Sequence, residues 1–398
     1  MQKGNLVILV LCQLISATGS IVIVTLGGII GSALASNLAL STLPISMMVV
    51  AVALTTVPAT VLMRKIGRSR GFALASVSAA IALVLASLAL QRSSFELFVL
   101  AAMLFGVNMA FTQQYRYAAA ESVPSRYVPR AVSLVLLGSI GGALLGPVLV
   151  IRGQFLIENV TYAGTLFIVA ALYILQGVLL LRLRGISAHS EAMSVPTNRA
   201  LPEIVFQPIY LVAVLGGTVG YGLMTLVMTA TPLGMHVMGD FSLEQTSGVI
   251  SAHVLSMYLP SLVSGFLIER FGVTRLMFAG ALILLVTSIV GLQGQTLMHY
   301  WWALVMLGVG WNFLYVGGTT MLTYTYSLEE RFRAQAVNEF LVFGLSAIAS
   351  LLAGTVMHYF GWFKLMLIPI PILILICLAL LFVRRDPLLR RGEQAANA

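Results

Sequence analysis

The stretch GFLIERFGVTR, residues 265–275, recurs in altered form 205 residues earlier as TVLMRKIGRSR, residues 60–70. Both copies hold a Leu, a basic residue, a Gly and a final Arg at the same spacing. A second segment has the same offset, because Arg126, followed five residues later by Ala-Val, recurs as Arg331. Two separate segments that share one offset indicate an internal repeat, so the chain is predicted to consist of two similar halves.

The composition excludes a water-soluble or disordered protein. Of the 398 residues, 59% are apolar and 9% are charged, whereas soluble domains carry about 25% charged residues. The apolar runs are much longer than a barrel strand, and the first is too long for a signal peptide. The sequence therefore predicts an all-α membrane protein with twelve transmembrane helices in two six-helix bundles. The predicted spans are 5–30, 44–63, 71–90, 96–115, 131–151, 161–183, 206–232, 244–268, 275–293, 299–325, 335–357 and 364–383.

The longest polar stretch, residues 184–205, lies between the sixth and seventh spans and is predicted to be a linker. Residues 1–183 would then form the N-terminal six-helix bundle and residues 206–383 the C-terminal one. Residues 384–398 would be a polar tail.

The distribution of Lys and Arg predicts the orientation in the membrane. Of the 22 Lys and Arg residues, all but Arg92, Arg152 and Lys364 fall on the side of the linker. The linker and both termini are therefore expected to be cytoplasmic. The same asymmetry accounts for the net charge of +9, so no nucleic-acid partner is expected.

With this organisation the chain resembles the major facilitator superfamily, whose signature G-x-L-x-[DE]-R-x-G-x-x-R is matched by residues 265–275. The resemblance implies alternating access to a substrate site between the two halves. Glu269 would sit against the N-terminal end of the fifth helix or pair with Arg130 as a cytoplasmic gate, and Gly272 would permit a tight turn. Arg270 and Arg275 complete the gate loop. The alternative is a permanent structural clip.

Sulfur and imidazole groups are the notable side chains inside the predicted spans. Met224 and Met228 lie one turn apart on the seventh helix, and His253 and Met257 lie one turn apart on the eighth. If these helices are antiparallel neighbours, the four side chains form a ladder of neutral ligands that suits Cu(I). The repeat offset makes Met48 the one equivalent residue in the first half that adds a thioether. The alternative is ordinary core packing, in which Met is common.

Three Met-His dipeptides, at 235, 298 and 357, fall near predicted outer loops. Met235, His236 and Met238 are therefore candidates for an outer copper-capture surface. Interfacial residues of an aromatic belt are the alternative. Cys12 and Cys377 lie in apolar runs and are candidate accessory ligands on the exit side, although free Cys more often packs as a small hydrophobic residue.

These two pairs of motifs on the seventh and eighth helices are similar to those of the CcoA-type copper importers. The resemblance implies a multi-pass protein of the bacterial inner membrane that moves copper, as Cu(I), from periplasm to cytoplasm for assembly of cbb3-type cytochrome oxidase. Copper is then the transported substrate, no cofactor is expected, and a copper chaperone or oxidase assembly protein would receive the ion. Riboflavin carriers belong to the same broader family, and the resemblance implies that the paired motifs distinguish the copper importers from them.

Two other functions remain open from the sequence. A carrier of a small organic solute, such as a flavin or a drug, is supported by the aromatic content and by amide side chains within the spans. A non-transporting membrane sensor or assembly factor is the third possibility. No nucleophile–base pair or carboxylate dyad is visible, so an enzyme is not expected. The amide side chains that support a carrier of an organic solute are those of Asn108, Gln113, Gln114, Asn312 and Asn338.

Overall fold

The computed structural model describes residues 3–122, 128–158, 160–183, 199–326, 330–387 and 389. All the regular structure in this part of the chain is helical. Helices are expected here because the bilayer interior offers no water to satisfy backbone N–H and C=O groups, and an α-helix satisfies them within one segment. The predicted all-helical membrane fold is thus confirmed.

The helices follow one another with short connections. A single 3₁₀ turn, Leu38–Leu40, precedes the second helix, and a π-helical turn, Leu233–Val237, follows the ninth. The α-helices are α1 (Lys3–Leu34), α2 (Leu43–Ile66), α3 (Arg68–Gln91), α4 (Phe95–Thr112), α5 (Tyr115–Glu121), α6 (Val128–Gly153), α7 (Ala163–Leu180), α8 (Leu201–Val205), α9 (Pro208–Pro232), α10 (Leu243–Tyr258), α11 (Ser261–Phe271), α12 (Val273–Gln293), α13 (Leu297–Thr323), α14 (Arg331–Leu367) and α15 (Pro369–Val383).

The two copies of the repeated signature form the same turn. Gly67 separates α2 from α3 with φ 86° and ψ 154°, and Gly272 separates α11 from α12 with φ 86° and ψ 152°. A side chain with a Cβ rarely adopts such a positive φ, so both turns require glycine. The matching geometry supports the internal repeat at the level of structure.

Eleven helical stretches of the described residues are long and apolar enough to cross a membrane. The last, Arg333–Val383, has 51 residues, which corresponds to about 75 Å at 1.5 Å per residue and is more than twice the thickness of the hydrocarbon core. Gly361, with φ 70°, interrupts this stretch. Trp362 next to it donates its indole N–H to the carbonyl of Gly291 near the end of α12, at 3.1 Å. The chain therefore reverses at Gly361, and the stretches make twelve passages.

The passages form two bundles, each with its own apolar core. Leu83 and Phe105 belong to the core of the first bundle, and Leu284 and Leu314 belong to the core of the second. The predicted bounds of the domains remain predictions, since 184–198 of the linker lie outside the described residues.

The described remainder of the linker is tied to the second bundle. Arg199 Nε donates to Glu330 Oε1 at 2.7 Å, and a second guanidinium nitrogen contacts the other carboxylate oxygen. In the first bundle, Ser69 Oγ donates to the carbonyl of Leu180 at 2.8 Å, which places the first signature turn beside the end of α7. We call this end of the molecule the linker end and the opposite end the far end.

The two bundles contact each other closely at the far end. Ser46 on α2 and Ser350 on α14 share a hydrogen bond of 3.0 Å between their hydroxyls. Gly354 packs so closely against the 3₁₀ turn that a Cβ there would lie 2.3 Å from Thr42 Oγ1 and 3.0 Å from the carbonyl oxygen of Ala39. Small residues thus bring the bundles together and close the far end of the space between them.

We predict that Gly354→Val opens the far end, because a valine side chain cannot fit against Thr42 and Ala39. Gly344→Val on the same helix is the matched control, since a Cβ at Gly344 meets nothing within 4 Å. Distances between spin labels at the far ends of α2 and α14 should lengthen in the Gly354 variant and remain unchanged in the control. Equal distances in both variants would contradict the assigned contact.

Candidate transport cavity

Two connected cavities lie between the bundles. The first, of about 180 Å³, is lined by residues of α1, α2, α4 and α6 from one bundle and of α9 and α10 from the other. The second, of about 270 Å³, shares Gln13, Gln113, Tyr221 and Tyr258 with the first and continues towards the linker end, where Thr320 lines it. Since the far end is closed, the structure has the form of a carrier whose site is reached from the linker end.

Five thioethers line the first cavity. Met224, Met228 and Met257, three of the four residues of the predicted ladder, contribute to its wall from α9 and α10. Met48, the predicted accessory residue, lines it from α2, and Met109 lines it from α4. Met109 was not singled out in the sequence because it stands alone, without a Met or His one turn away. The methionine wall is therefore built by both bundles.

His253, the fourth residue of the predicted ladder, lies behind the cavity and is not part of its lining. Its side chain is fully buried, and Nδ1 lies 2.8 Å from the carbonyl oxygen of Leu304 on α13. A carbonyl only accepts, so Nδ1 carries the proton, and Nε2 of the neutral ring holds the lone pair. Nε2 is buried and has no hydrogen-bond partner among the described residues.

The position of His253 follows from the close approach of α10 and α13. A Cβ at Gly308 on α13 would lie 2.0 Å from Ser256 Oγ and 2.8 Å from the carbonyl oxygen of His253. Because Gly308 lets the two backbones come this near, the ring of His253 packs against α13, while Met257, one turn further on, reaches the cavity. Three of the four side chains of the expected ladder thus line one cavity and the imidazole lies behind them, while their role as metal ligands remains a prediction.

The candidate capture residues differ in exposure. Met235 is completely buried, so it lies in the core of the second bundle instead of on an outer surface. It lies in the π-helical turn Leu233–Val237, of which Leu233, Gly234 and Met235 are buried. His236 Nδ1 lies 2.7 Å from the carbonyl oxygen of Phe241, and Met238 is 45% exposed. Of the three, Met238 alone presents a free thioether at the surface.

The candidate exit ligands, Cys12 and Cys377, are not part of the cavity lining. Cys12 is buried, and its Sγ lies 4.0 Å from the carbonyl oxygen of Gln176 within the first bundle. Cys377 is half-buried on α15. Neither residue lines the two cavities.

Aromatic rings form the wall of the second cavity. The ring of Tyr221 meets those of Trp311, Tyr315 and Phe343 edge-on, with centroids 5.4–5.5 Å apart. Trp311 and Tyr315 are stacked, with centroids 5.1 Å apart and an interplanar angle of 11°. These distances fall in the range in which aromatic rings attract one another. Tyr221, Trp311 and Tyr315 line the cavity and Phe343 packs against Tyr221 behind it, so the cluster forms an aromatic platform beside the methionine wall.

Amide and hydroxyl groups supply the polar part of the lining. Gln113 lines both cavities, and Gln13 Nε2 donates to Ser139 Oγ at 2.9 Å. Asn312 lines the second cavity, where Nδ2 donates to the carbonyl of Met257 at 2.8 Å and to Ser261 Oγ at 2.6 Å. Asn312 thereby holds the break between α10 and α11 in place.

The other amides suggested by the sequence lie elsewhere. Asn108 is fully buried and Asn338 is 8% exposed, and neither lines the two cavities. Gln114 Nε2 donates weakly to Thr60 Oγ1, at 3.5 Å.

The cavities are almost without charge. Among the described residues, no Asp or Glu lines either cavity, and Arg116, near the linker end of the second cavity, is the charged residue in the lining. The described lining therefore offers no carboxylate to balance the charge of a cationic cargo.

The predicted gate is described in part. The side chains of Glu269 and Arg130 lie outside the described residues, so their contact remains a prediction. Arg270 and Arg275 are exposed, and the guanidinium of Arg270 lies 5.5 Å from the centroid of the Phe271 ring.

Comparison with known proteins gives consistent matches over the whole chain. The family model of the Major Facilitator Superfamily matches residues 9–243 and 227–397. The riboflavin transporter RfnT of Brucella anthropi is 35% identical over 380 residues, which is 95% of either chain. The uncharacterized MFS-type transporter YdeG of Bacillus subtilis is 29% identical over 322 residues, 77% of this chain and 73% of that one.

Solved structures share the fold at low sequence identity. A bacterial homolog of the human lysosomal transporter Spinster, in an inward-facing and unoccupied conformation, superposes with a TM-score of 0.75 at 14% identity, covering 98% of this chain and 97% of that one. A point mutant of the nucleoside transporter NupG gives a TM-score of 0.69 at 14% identity, covering 95% of this chain and 100% of that one.

We predict that His253 stabilises the packing of α10 against α13 even without metal. His253→Leu removes the Nδ1 donor and leaves the carbonyl of Leu304 unpaired, which should cost about 1–3 kcal/mol in the free energy of unfolding. His253→Asn keeps an N–H near the position of Nδ1 and should retain most of the stability. Thermal unfolding of both variants in detergent with a chelator measures the difference. Equal stability of the parent and the Leu variant would rule out this structural role.

Proposed function

The chain belongs to the Major Facilitator Superfamily, and on this premise we propose that it carries a small, uncharged aromatic solute of the flavin class across the membrane. The observation that supports this cargo is the platform of Tyr221, Trp311, Tyr315 and Phe343 beside a lining of amides and hydroxyls that holds no carboxylate among the described residues.

The chemistry of a flavin matches each part of this lining. Its flat ring system would stack on the aromatic platform. Its ring carbonyls would accept hydrogen bonds from groups such as Gln113 and Ser16. The hydroxyls of its side chain would both donate hydrogen bonds to such groups and accept them. The relative from Brucella anthropi that is named a riboflavin transporter adds support from sequence, because it matches 95% of the chain.

The orientation of the carrier in the membrane belongs to the same proposal. In the orientation predicted from Lys and Arg, the linker end is cytoplasmic, so the conformation described here would be open to the cytoplasm and closed to the periplasm. The protein would then reside in the bacterial inner membrane. Binding energy would come from stacking and hydrogen bonds, without a buried charge that would have to be desolvated.

We predict that purified protein in vesicles gives saturable uptake of labelled riboflavin that a copper chelator does not affect. Trp311→Ala removes half of the stacked pair and should lower the initial rate at low riboflavin concentration by about five- to tenfold. Trp302→Ala is the matched control, because Trp302 is 47% exposed and lines neither cavity. A parent protein that accumulates no more riboflavin than empty vesicles would refute the flavin proposal.

Copper uptake is the second candidate, and the methionine wall favours it. Met48, Met109, Met224, Met228 and Met257 offer five neutral thioethers to one cavity, and such soft ligands prefer Cu(I). The unpartnered lone pair of the buried imidazole behind them is a further soft-to-borderline donor, which a change of side-chain rotamer would have to bring forward. In this case the ion would pass from periplasm to cytoplasm and serve cbb3-type oxidase assembly, as the resemblance to CcoA-type importers implies. A membrane metal sensor would bind the ion at the same wall without moving it.

We predict for this second candidate that the double variant Met224→Leu, Met228→Leu reduces uptake of radiolabelled Cu(I) to the level of empty vesicles. Leu preserves side-chain volume, so packing is largely kept while two sulfur ligands are lost. Met277→Leu is the matched control, because Met277 is buried in the same bundle away from the cavities. Equal copper uptake by the double variant and the control would exclude the methionine wall as the copper route.

A further inference from the structure

A second concave surface lies on the outside of the C-terminal bundle, away from the transport cavity. It is a groove of about 730 Å³ between the start of α12 and the end of α15, at the linker end. All of the described residues that line it lie between 268 and 389, so within the described part of the chain its wall comes from the C-terminal half. The groove is therefore not part of the space between the two bundles.

Four guanidinium groups surround this groove, which we call the arginine groove. Arg270 and Arg275 come from the signature turn, and Arg384 and Arg385 follow α15. All four side chains are exposed, and no Asp or Glu is found among the described residues that line the groove. Four like charges around one groove repel one another, so an anion placed between them would be bound favourably.

The guanidinium groups retain donors for such an anion. Arg275 makes one long hydrogen bond, 3.5 Å from Nη1 to the carbonyl oxygen of Phe271. A guanidinium has five N–H groups in a planar fork that matches the oxygens of a phosphate. The groove therefore offers the donors of a phosphate site, and its described lining holds no carboxylate.

The rest of the groove is apolar. Phe271, Leu282 and Leu381 line it and are 44–47% exposed on the outside of the bundle. Free phosphate gains nothing from such a surface, whereas an acyl chain buries apolar area against it. Basic pockets between transmembrane helices next to the interface are typical sites for anionic lipid head groups.

We propose that the arginine groove binds an anionic phospholipid of the leaflet at the linker end. Its phosphate lies between the guanidinium groups, and an acyl chain lies along Phe271, Leu282 and Leu381. Because Gly272 and Arg275 belong to the signature turn, the lipid contacts the loop that connects α11 to α12. This lipid site stands independently of the cargo.

The test measures lipid binding to the purified full-length chain in detergent, without any transport assay. The probes are cardiolipin, phosphatidylglycerol, phosphatidylcholine and inorganic phosphate, and the readouts are lipid adducts in native mass spectrometry and the shift in the apparent Tm. The double variant Arg275→Gln, Arg384→Gln is compared with Arg92→Gln, Arg152→Gln, a control with the same change of net charge at exposed arginines on the far end.

We expect cardiolipin and phosphatidylglycerol, but not phosphatidylcholine or inorganic phosphate, to bind the parent and raise its Tm. The double variant in the groove should bind the anionic lipids about thirtyfold more weakly, which is the loss of affinity expected when two basic residues next to an anionic membrane surface are removed. The far-end control should bind these lipids as the parent does. Arg275→Lys, Arg384→Lys should recover part of the affinity, which separates lost charge from misfolding. Equal lipid binding by the groove variant and the control, or an equal effect of inorganic phosphate, would overturn the proposal.

Discussion

The bilayer imposes the constraint on which the rest of this structure depends: inside it, backbone polar groups must be satisfied within the protein and charge is costly. Helices meet the first demand, and the low charge content of the chain, 9%, meets the second. The same constraint shapes the transport cavity. Its lining uses thioethers, amides, hydroxyls and aromatic rings, and no carboxylate appears in the described part of it.

A cavity with Arg116 as the one charged residue in its described lining favours cargo that gains binding energy without a countercharge. A flavin-like ring does so by stacking and hydrogen bonding, and Cu(I) does so through soft ligands. The aromatic platform and the methionine wall lie side by side and share the lining residues Tyr221 and Tyr258. The two cargo classes thus differ in which wall they would use, while the alternating movement of the bundles would serve either.

Glycine and serine determine where the moving parts approach each other. Gly354 and the pair Ser46–Ser350 bring α2 and α14 together at the far end, and Gly308 brings α10 against α13. The first contact joins the two bundles and therefore depends on conformation, whereas the second lies within one bundle. Charge follows a different pattern, since Arg116 is the one charged residue in the described cavity lining, and Arg270, Arg275, Arg384 and Arg385 lie outside the cavities, where head groups and water would solvate them.

By itself the sequence determined the helical class, the twelve passages and the twofold internal repeat, because length, hydropathy and the 205-residue offset are properties of the chain alone. It also singled out Met224 and Met228, whose one-turn spacing on α9 places both in the lining of one cavity, together with Met257 from α10. Only the tertiary structure decided that His253 packs against Leu304, that Met235 is buried, and that Met109 joins the methionine wall from the other bundle. Helical spacing predicts which residues share a face, but the partner that a face meets depends on how closely the neighbouring backbone approaches. For His253, Gly308 sets that approach, and Met235 lies in the π-helical turn after α9, which spacing does not predict.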